Sequence, residues 1–403
     1  MKNRCLICDG YTGEVCLSFG QQVVTKNLVD HKKRLPFFSD LTVTICKDCG
    51  TVQLKDPWPY KELVPRYAWM TFREPEAHLD DVVSQVINQL RLDKGSLIAG
   101  ISPKDDSTLA RFERRGFSNI YRIDPFLDLG ISEPNTYIES VQYNLTPEIA
   151  ERIASQRGHA DCVIARHILE HAERPQEFLT SIRALLKPNG FAIFEVPDCT
   201  DALDAADYAL IWEEHSLYFT PMTLEYALTI ANFKNLWGNV YPYPFENSIV
   251  VLANKSEGPL SAEVNSLNQE RDRFSLYCNS FPESKSRVRA SISDLCATGQ
   301  PIVLFGAGHS GCSFVNYYEL GGQIVFAVDD APEKLGLRLP GSELEIRPSS
   351  DLDDLGVCVC LLAVTPEKES IVLERLQSRL KSDVTYKSIV STSAHYIGKE
   401  SEA

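Results

Sequence analysis

The sequence predicts an α/β protein built around a doubly wound, mostly parallel sheet, with a small cysteine-rich segment before it and a second α/β unit after it. Three observations predict this class. Strand-like and helix-like segments alternate between residues 96 and 196, as in βαβ units. The alternation returns between residues 301 and 365, and two C-x-x-C pairs occupy the N-terminal segment.

The composition is that of a globular protein with an acidic surface. Among 403 residues, 44% are hydrophobic, 24% are charged, and the formal net charge is −15. This charge argues against nucleic-acid binding, which needs clustered Lys and Arg, but a few local donors can hold a small anionic substrate. The length predicts two or three domains, and we expect a monomer or a homodimer.

The N-terminal residues MKNRCLICDG lack the apolar core of a secretory signal. The longest uninterrupted apolar run, 357–364, is far shorter than a membrane span. We therefore expect a cytoplasmic protein without membrane contact. In such a reducing compartment, the 12 cysteines are expected to be thiols or metal ligands.

Residues 1–70 carry a metal-binding pattern. Cys5 and Cys8 form one C-x-x-C pair, and Cys46 and Cys49 form the second. Two such turns brought together give a tetrahedral sulfur cage that suits Zn²⁺. Reduced structural cysteines or a redox pair are the alternatives. Four protein ligands leave no open position, so a zinc ion here would hold a fold together and do no chemistry.

Residues 71–257 contain the doubly wound sheet. An apolar face with helical spacing predicts a helix over 78–92. Two late strands have no room for a helix between them, so they are predicted as a closing antiparallel pair. The predicted strands are 96–101, 119–124, 161–166, 191–196, 235–241 and 248–254, and the helices between them are 107–116 and 175–187.

Residues 258–298 are charged and helical in pattern, which predicts a connecting helical segment. Residues 299–403 form the second α/β unit. Its predicted strands are 301–308, 323–330 and 358–365, with a helix ending at Tyr318 after the first.

A glycine motif opens this second unit. Gly306, Gly308 and Gly311 match G-x-G-x-x-G, and Asp329 and Asp330 follow about 20 residues later, the spacing of a dinucleotide fingerprint. NAD binding is one interpretation. The other is a turn that holds a different phosphate, or that packs closely without a cofactor.

Polar residues follow the strands of the first sheet, at the edge where such sheets bind ligands. Gly100 begins the loop after the first strand. Asp124 ends the second strand, where an acid commonly binds ribose hydroxyls, although an ordinary turn is the alternative. Arg166 and His167 follow a later strand and predict a polar loop lining a cofactor cleft. Because a second histidine and a glutamate follow closely, a metal site is the alternative there.

On these residues the chain resembles a known family. The stretch from Asp161 to Pro197, with an LEH motif after its strand, is similar to the fourth and fifth strands of class I S-adenosylmethionine-dependent methyltransferases. With the cysteine pairs, the segment WEEHSLYF (212–219) and the C-terminal unit, nearly the whole chain resembles the sugar C-methyltransferases that act on nucleotide-linked deoxy-keto-sugars. The resemblance implies a zinc-binding domain, a methyltransferase domain and a C-terminal Rossmann-like domain that is not a redox domain.

The resemblance implies S-adenosylmethionine as cofactor and a nucleotide-sugar as substrate. A 4-keto-sugar supplies a carbon nucleophile when a base removes the proton next to the ketone, and histidine titrates in the right range. By resemblance, His215 is this base and Glu214 its orienting or charge-stabilising partner. Tyr218 can donate to the enolate oxygen, or it is simply packed. The alternatives are a keto-sugar epimerase or isomerase without a methyl donor, and a non-catalytic binding protein.

Overall fold

The computed structural model describes residues 3–30, 36–67, 69, 74–90, 92–243, 246–262, 267–379 and 383–399. The chain folds into two compact units, and each is assembled from separated segments. Unit 1 comprises Met1–Cys16, Val43–Thr200 and Glu214–Asp272, and unit 2 comprises Leu17–Thr42, Asp201–Glu213 and Arg273–Ala403.

The elements are numbered in chain order. The strands are β1 (Thr12–Val23), β2 (Phe38–Cys46), β3 (Val52–Leu54), β4 (Ile98–Gly100), β5 (Ile120–Arg122), β6 (Ala160–Arg166), β7 (Leu186–Asp198), β8 (Leu217–Tyr218), β9 (Phe233–Tyr241), β10 (Asn247–Lys255), β11 (Ile302–Phe305), β12 (Ile324–Val328), β13 (Ile346–Arg347), β14 (Val357–Leu362) and β15 (Asp383–Ser388). The helices are α1 (Tyr60–Leu63), α2 (Leu79–Leu90), α3 (Asp106–Arg114), α4 (Ile138–Asn144), α5 (Pro147–Arg157), α6 (Pro175–Leu185), α7 (Thr200–Asp204), α8 (Pro221–Ile230), α9 (Leu267–Ala297), α10 (His309–Tyr317) and α11 (Pro366–Arg379).

The N-terminal segment forms a four-stranded sheet in the order β1-β2-β3-β8. In β2, Leu41, Val43 and Ile45 are all buried, because alternate residues of a strand point to the same face. The short strand β8 comes from the WEEHSLYF segment and pairs antiparallel with β3, with Val52 opposite Tyr218. The cysteine-rich segment therefore pairs directly with the predicted catalytic segment.

A six-stranded sheet in the order β5-β4-β6-β7-β10-β9 forms the centre of unit 1. Strands β5, β4, β6 and β7 are parallel, and β10 is antiparallel to both β7 and β9. This confirms the predicted parallel strands and the closing antiparallel pair. Helix α6 ends at Leu185 and β7 begins at the next residue. The observed strand therefore starts five residues before the predicted strand 191–196.

Apolar side chains cover both faces of this sheet. On one face, Val83 of α2 and Phe112 of α3 pack with Ile98 and Ile164. On the other, Ile182 of α6 packs with Val163 among others. Neighbouring residues of β6 thus enter opposite layers, as the two-residue period of a strand requires. This layered arrangement leaves the carboxyl edge of the parallel strands for polar side chains.

Unit 2 contains a parallel five-stranded sheet in the order β13-β12-β11-β14-β15. The predicted strands of the second α/β unit and the helix after the first of them are confirmed. Helix α9 includes Pro282 and fills most of the predicted connecting segment. Among the described residues, no helix is both long and apolar enough to cross a membrane.

Candidate active site

The two C-x-x-C pairs meet in a cage of four sulfur atoms. The Cys5 and Cys49 Sγ atoms are 3.6 Å apart, and those of Cys8 and Cys46 are 3.5 Å apart. The backbone amides of Ile7 and Asp48 approach the sulfurs of Cys5 and Cys46 at 3.4 Å. A tetrahedral ion with metal–sulfur bonds of about 2.3 Å separates its ligands by only slightly more than this. The residues present therefore fit a four-coordinate metal ion.

The loop after β4 is held by a buried carboxylate, Asp105. Its Oδ2 accepts from the amides of Ile101 and Ser102, both at 2.8 Å, and its Oδ1 accepts from the Arg166 amide at 2.9 Å. Burial raises the pKa of Asp105 to about 7 against the effect of these amide bonds. A Cβ on Gly100 would lie 2.8 Å from Leu109 Cδ1 and 3.0 Å from Asp105 Cβ, so any larger residue there would force these side chains to move.

The loop after β5 combines a carboxylate with exposed apolar side chains. Asp124 Oδ1 accepts from the amides of Phe126 and Leu127, both at 2.8 Å. This turn directs the two apolar side chains outward, where Phe126 is 66% and Leu127 73% exposed. The half-buried Asp124 carboxylate thus lies beside two exposed apolar side chains.

Glu195, near the C-terminal end of β7, accepts hydrogen bonds from four neighbouring side chains. Arg166 Nε lies 2.5 Å from Oε2, while His78 Nε2, His167 Nε2 and Ser248 Oγ lie 2.9, 3.2 and 2.7 Å from Oε1. Burial alone would raise the pKa of Glu195, but Arg166, His167 and His78 hold it well below its ordinary value. Arg166 is therefore engaged within the protein, and its NH1 also donates to Lys104 O.

His167 lies between two carboxylates just after β6, in a left-handed backbone conformation with φ of 46°. Its Nδ1 is 3.5 Å from Glu170 Oε1, and its Nε2 faces Glu195. Burial lowers the pKa of His167, but the two carboxylates more than offset this and raise it to about 10. At neutral pH the ring is thus an imidazolium.

The predicted catalytic residues lie in a buried group of acids and bases in unit 1. The ligand atoms of Glu170, His171 and His215 lie within 4.8 Å of one another, and so do those of Glu139, His171 and Glu214. The rings of His171 and His215 meet edge to face at 4.7 Å. Glu170 Oε2 is buried and accepts no hydrogen bond from any residue that the structure describes, and burial raises the pKa of this carboxyl.

The WEEHSLYF segment divides between the two units. Trp212 belongs to unit 2, where its ring packs on His309 at 3.9 Å. Glu213, also in unit 2, accepts from the backbone amide and hydroxyl of Thr25. Tyr218 belongs to unit 1, where it is 1% exposed and its ring lies 6.1 Å from that of His215.

The glycine motif of unit 2 is held in place by hydrogen bonds to Asp329 and Lys334. Asp329 Oδ2 accepts from the Ala307 amide at 3.2 Å and from Lys334 Nζ at 2.7 Å. Lys334 Nζ also donates to Ala307 O at 3.0 Å. A Cβ on Gly306 would lie 2.7 Å from Ala363 O, so this glycine is needed for close packing.

Sequence reasoning gave no role to three of these residues, Asp105, Glu195 and His78. Glu195 left a signal that could have been used, because it is a carboxylate within the otherwise apolar run FAIFEV, and buried carboxylates need partners. Asp105 also left a local signal, because Ser102 and Asp105 have the spacing of a capping box, whereas His78 left none, since its partners are set by the tertiary fold.

Two family models match consecutive parts of the chain. The "Methyltransferase domain" model matches residues 93–236, and the "C-methyltransferase C-terminal domain" model matches residues 254–378. Their order agrees with the order of the two α/β parts in the sequence.

The chain is also similar to individual proteins. The C-methyltransferase NovU of Streptomyces niveus is 25% identical over 85% of each chain. The ubiquinone biosynthesis O-methyltransferase of Rickettsia felis is 29% identical over 32% of this chain and 57% of its own. Among solved structures, 1,6-didemethyltoxoflavin-N1-methyltransferase of Burkholderia thailandensis is 16% identical, covering 45% of this chain and 80% of its own with a TM-score of 0.31, an overlap too low to support an argument. The two domain models, together with the similarity to NovU over 85% of each chain, show that the chain combines a methyltransferase domain with a C-methyltransferase C-terminal domain.

Proposed function

We propose that the protein methylates a carbon of a nucleotide-linked deoxy-keto-sugar, with His215 as the base. The observation that carries this proposal is the buried grouping of His215 with Glu170 and His171, beside the carboxyl end of β6. His215 is only 7% exposed, so bulk water has little access to its ring. A base in such a position can remove the proton from the carbon next to a ketone.

The chain offers a partial fit for the cofactor. Asp124 can bind ribose hydroxyls, and Phe126 and Leu127 offer apolar surface for an adenine. At Gly100, by contrast, the amides of the next two residues, Ile101 and Ser102, are bound by Asp105, so Gly100 remains a cofactor-binding candidate through the close approach that glycine allows. Bound S-adenosylmethionine would supply an electrophilic methyl group.

The neighbouring residues adjust the charge around His215. Glu214 is grouped with Glu139 and His171, and the His171 ring also contacts that of His215, which supports Glu214 as the charge-stabilising partner of His215. Arg166 and His167 keep Glu195 ionised and organise the edge. The enolate formed when His215 takes the proton needs a donor for its oxygen, and Tyr218 is the donor that the resemblance suggests.

Replacing His215 by Ala tests this function. We expect methyl transfer to fall by roughly 10²–10⁴-fold, together with deuterium exchange from solvent into the carbon next to the ketone. The probes are nucleoside-diphosphate 4-keto-6-deoxyhexoses, and calorimetry with S-adenosylmethionine checks that the variant still binds its cofactor. The matched control is His159→Ala, because His159 is an exposed histidine of the same unit.

Two outcomes would contradict the proposal. Exchange that persists in the His215→Ala variant would reject His215 as the base. Exchange by the wild-type protein without methyl transfer would favour the epimerase or isomerase alternative.

We also infer that the four-cysteine cage holds a structural zinc ion. The sulfur separations and the amide contacts to sulfur support this. Elemental analysis of the purified protein should give one zinc per chain, which Cys46→Ser should remove. A full zinc content in this variant would reject the site.

A further inference from the structure

Tyr243, His78 and Glu195 form a row of three hydrogen-bonded side chains in unit 1. Tyr243 Oη lies 2.6 Å from His78 Nδ1, and His78 Nε2 lies 2.9 Å from Glu195 Oε1. His78 and Glu195 are buried, whereas Tyr243 is half-buried and follows β9 at the turn toward β10. One end of the row is therefore accessible to a ligand, and the other is fixed inside the protein.

The partners determine which atom of each pair carries the hydrogen. The ionised Glu195 carboxylate can only accept, so His78 Nε2 carries the ring proton. If the His78 ring is neutral, its Nδ1 has a lone pair and the Tyr243 hydroxyl donates to it. Tyr243 Oη also accepts from the His78 backbone amide at 3.2 Å. Among the described residues no other group bonds to Oη, so one lone pair is left that can accept a single hydrogen bond.

Tyr243 lies on the same edge of the sheet as His215. Glu195 Oε1 is shared by His78 and His167, and His167 contacts Glu170. Glu170 in turn belongs to the group that contains His215. A continuous set of buried polar side chains therefore joins the row to the proposed base. Tyr243 and the proposed base therefore belong to one polar edge of the sheet.

We propose that Tyr243 selects the substrate by accepting a hydrogen bond from one sugar hydroxyl. This inference rests on the proposed function and adds which feature of the sugar is recognised. Because its own hydrogen is held by His78, Tyr243 presents an acceptor, which matches a hydroxyl and rejects a carbonyl oxygen. Tyr243 contacts the substrate, and His78 and Glu195 are positioning residues that fix the direction of the phenol hydrogen. No covalent step is involved.

The first test measures specificity. Nucleoside-diphosphate 4-keto-6-deoxyhexoses that lack one ring hydroxyl at a time are compared by kcat/KM for methyl transfer. We expect the wild-type protein to discriminate against loss of one particular hydroxyl by roughly tenfold, and Tyr243→Phe to lose that discrimination through KM. Tyr241→Phe is the matched control, because the Tyr241 ring also lies against His78 at 4.7 Å but its hydroxyl donates to Asp81.

The second test does not depend on turnover. Nitrogen-15 NMR of histidine-labelled protein, with the His78 signal identified from a His78→Gln sample, reports the ring state among the eight histidines. We expect His78 to be protonated at Nε2 and unprotonated at Nδ1. Tyr243→Phe should shift the Nδ1 resonance, and Tyr241→Phe should leave it unchanged.

The outcomes separate this inference from the proposed function. If Tyr243→Phe keeps the wild-type discrimination at every hydroxyl, the selecting role is rejected while the methyl transfer stands. A protonated His78 Nδ1 also rejects it, because Tyr243 would then be free to donate. If the wild-type protein turns over none of the sugars, the proposed function fails and the selecting role fails with it, whatever the NMR shows.

Discussion

At the scale of single residues, the carboxyl edge of the six-stranded sheet is organised by buried carboxylates. Glu195 stays ionised because Arg166 and the imidazolium of His167 lie against it. Among the residues that the structure describes, no side-chain cation hydrogen-bonds to Asp105. Its carboxylate accepts instead from three backbone amides. Since a neighbouring cation offsets burial better than amide dipoles do, the two carboxyls titrate in opposite directions from their ordinary values.

Asp105 should leave a signature in the pH dependence of stability. Its pKa is raised to about 7 in the folded protein and lies near about 3.9 in an unfolded chain. Between these values the folded state binds the extra proton, so the free energy of unfolding falls as the pH rises, by up to about 1.4 kcal/mol per pH unit. Above about pH 7 the contribution is constant.

Replacing Asp105 by Asn removes the titrating group. We expect the variant to be about 1–3 kcal/mol less stable at low pH, because the new amide faces backbone donors, and to lack this slope. Urea unfolding across the pH range measures both effects. Asp106→Asn is the control, because Asp106 is exposed and paired with Arg122. An equal slope in wild type and Asp105→Asn would contradict the assignment.

At the scale of elements, the sequence predicts the strands of both α/β sheets because their apolar runs and turns are local signals. The strands β4, β5, β6 and β7 and the antiparallel pair β9 and β10 all lie where the alternation indicated. The pairing of β3 with β8 could not be predicted, because it joins segments more than 160 residues apart through only two register pairs. The partners of His78 were hidden for the same reason, since Tyr243 and Glu195 lie far from it in the sequence.

The loop after β4 depends on the absence of a Cβ atom at Gly100. A Cβ there would lie 2.8 Å from Leu109 Cδ1 and 3.0 Å from Asp105 Cβ. Gly100→Ala should therefore push the loop away from β4 and cost about 1–3 kcal/mol, measured by urea unfolding. Gly258→Ala is the control, since no atom lies within 4 Å of its added Cβ. The further replacement Leu109→Ala should recover part of the loss specific to Gly100→Ala. If Gly100→Ala is as stable as the control, the packing account is wrong.

At the scale of the whole molecule, the two compact units are not continuous in sequence. Unit 2 takes in Leu17–Thr42 and Asp201–Glu213 together with the C-terminal part. The predicted boundaries at residues 70, 257 and 298 follow the sequence order and remain predictions. Sequence patterns report local structure, so they could not show that an N-terminal segment completes a core more than 230 residues away.

Phe19 makes this long-range completion testable. Its ring lies 5.0 Å from Phe281, 4.2 Å from Tyr317 and 6.4 Å from Tyr208, all within unit 2, and it is 8% exposed. Phe19→Ala should leave a cavity there and cost about 3–5 kcal/mol. Hydrogen exchange should then accelerate in α10 and the segment 201–213, while β6 and β7 keep their protection.

Phe38→Ala is the matched control, because Phe38 is the same residue type in the same unit but is 52% exposed. It should change the exchange of α10 little. If Phe19→Ala accelerates exchange only in β1 and its sheet neighbour, the N-terminal segment is an independent appendage. If instead α10 and 201–213 respond with it, one cooperative core is assembled from both ends of the chain.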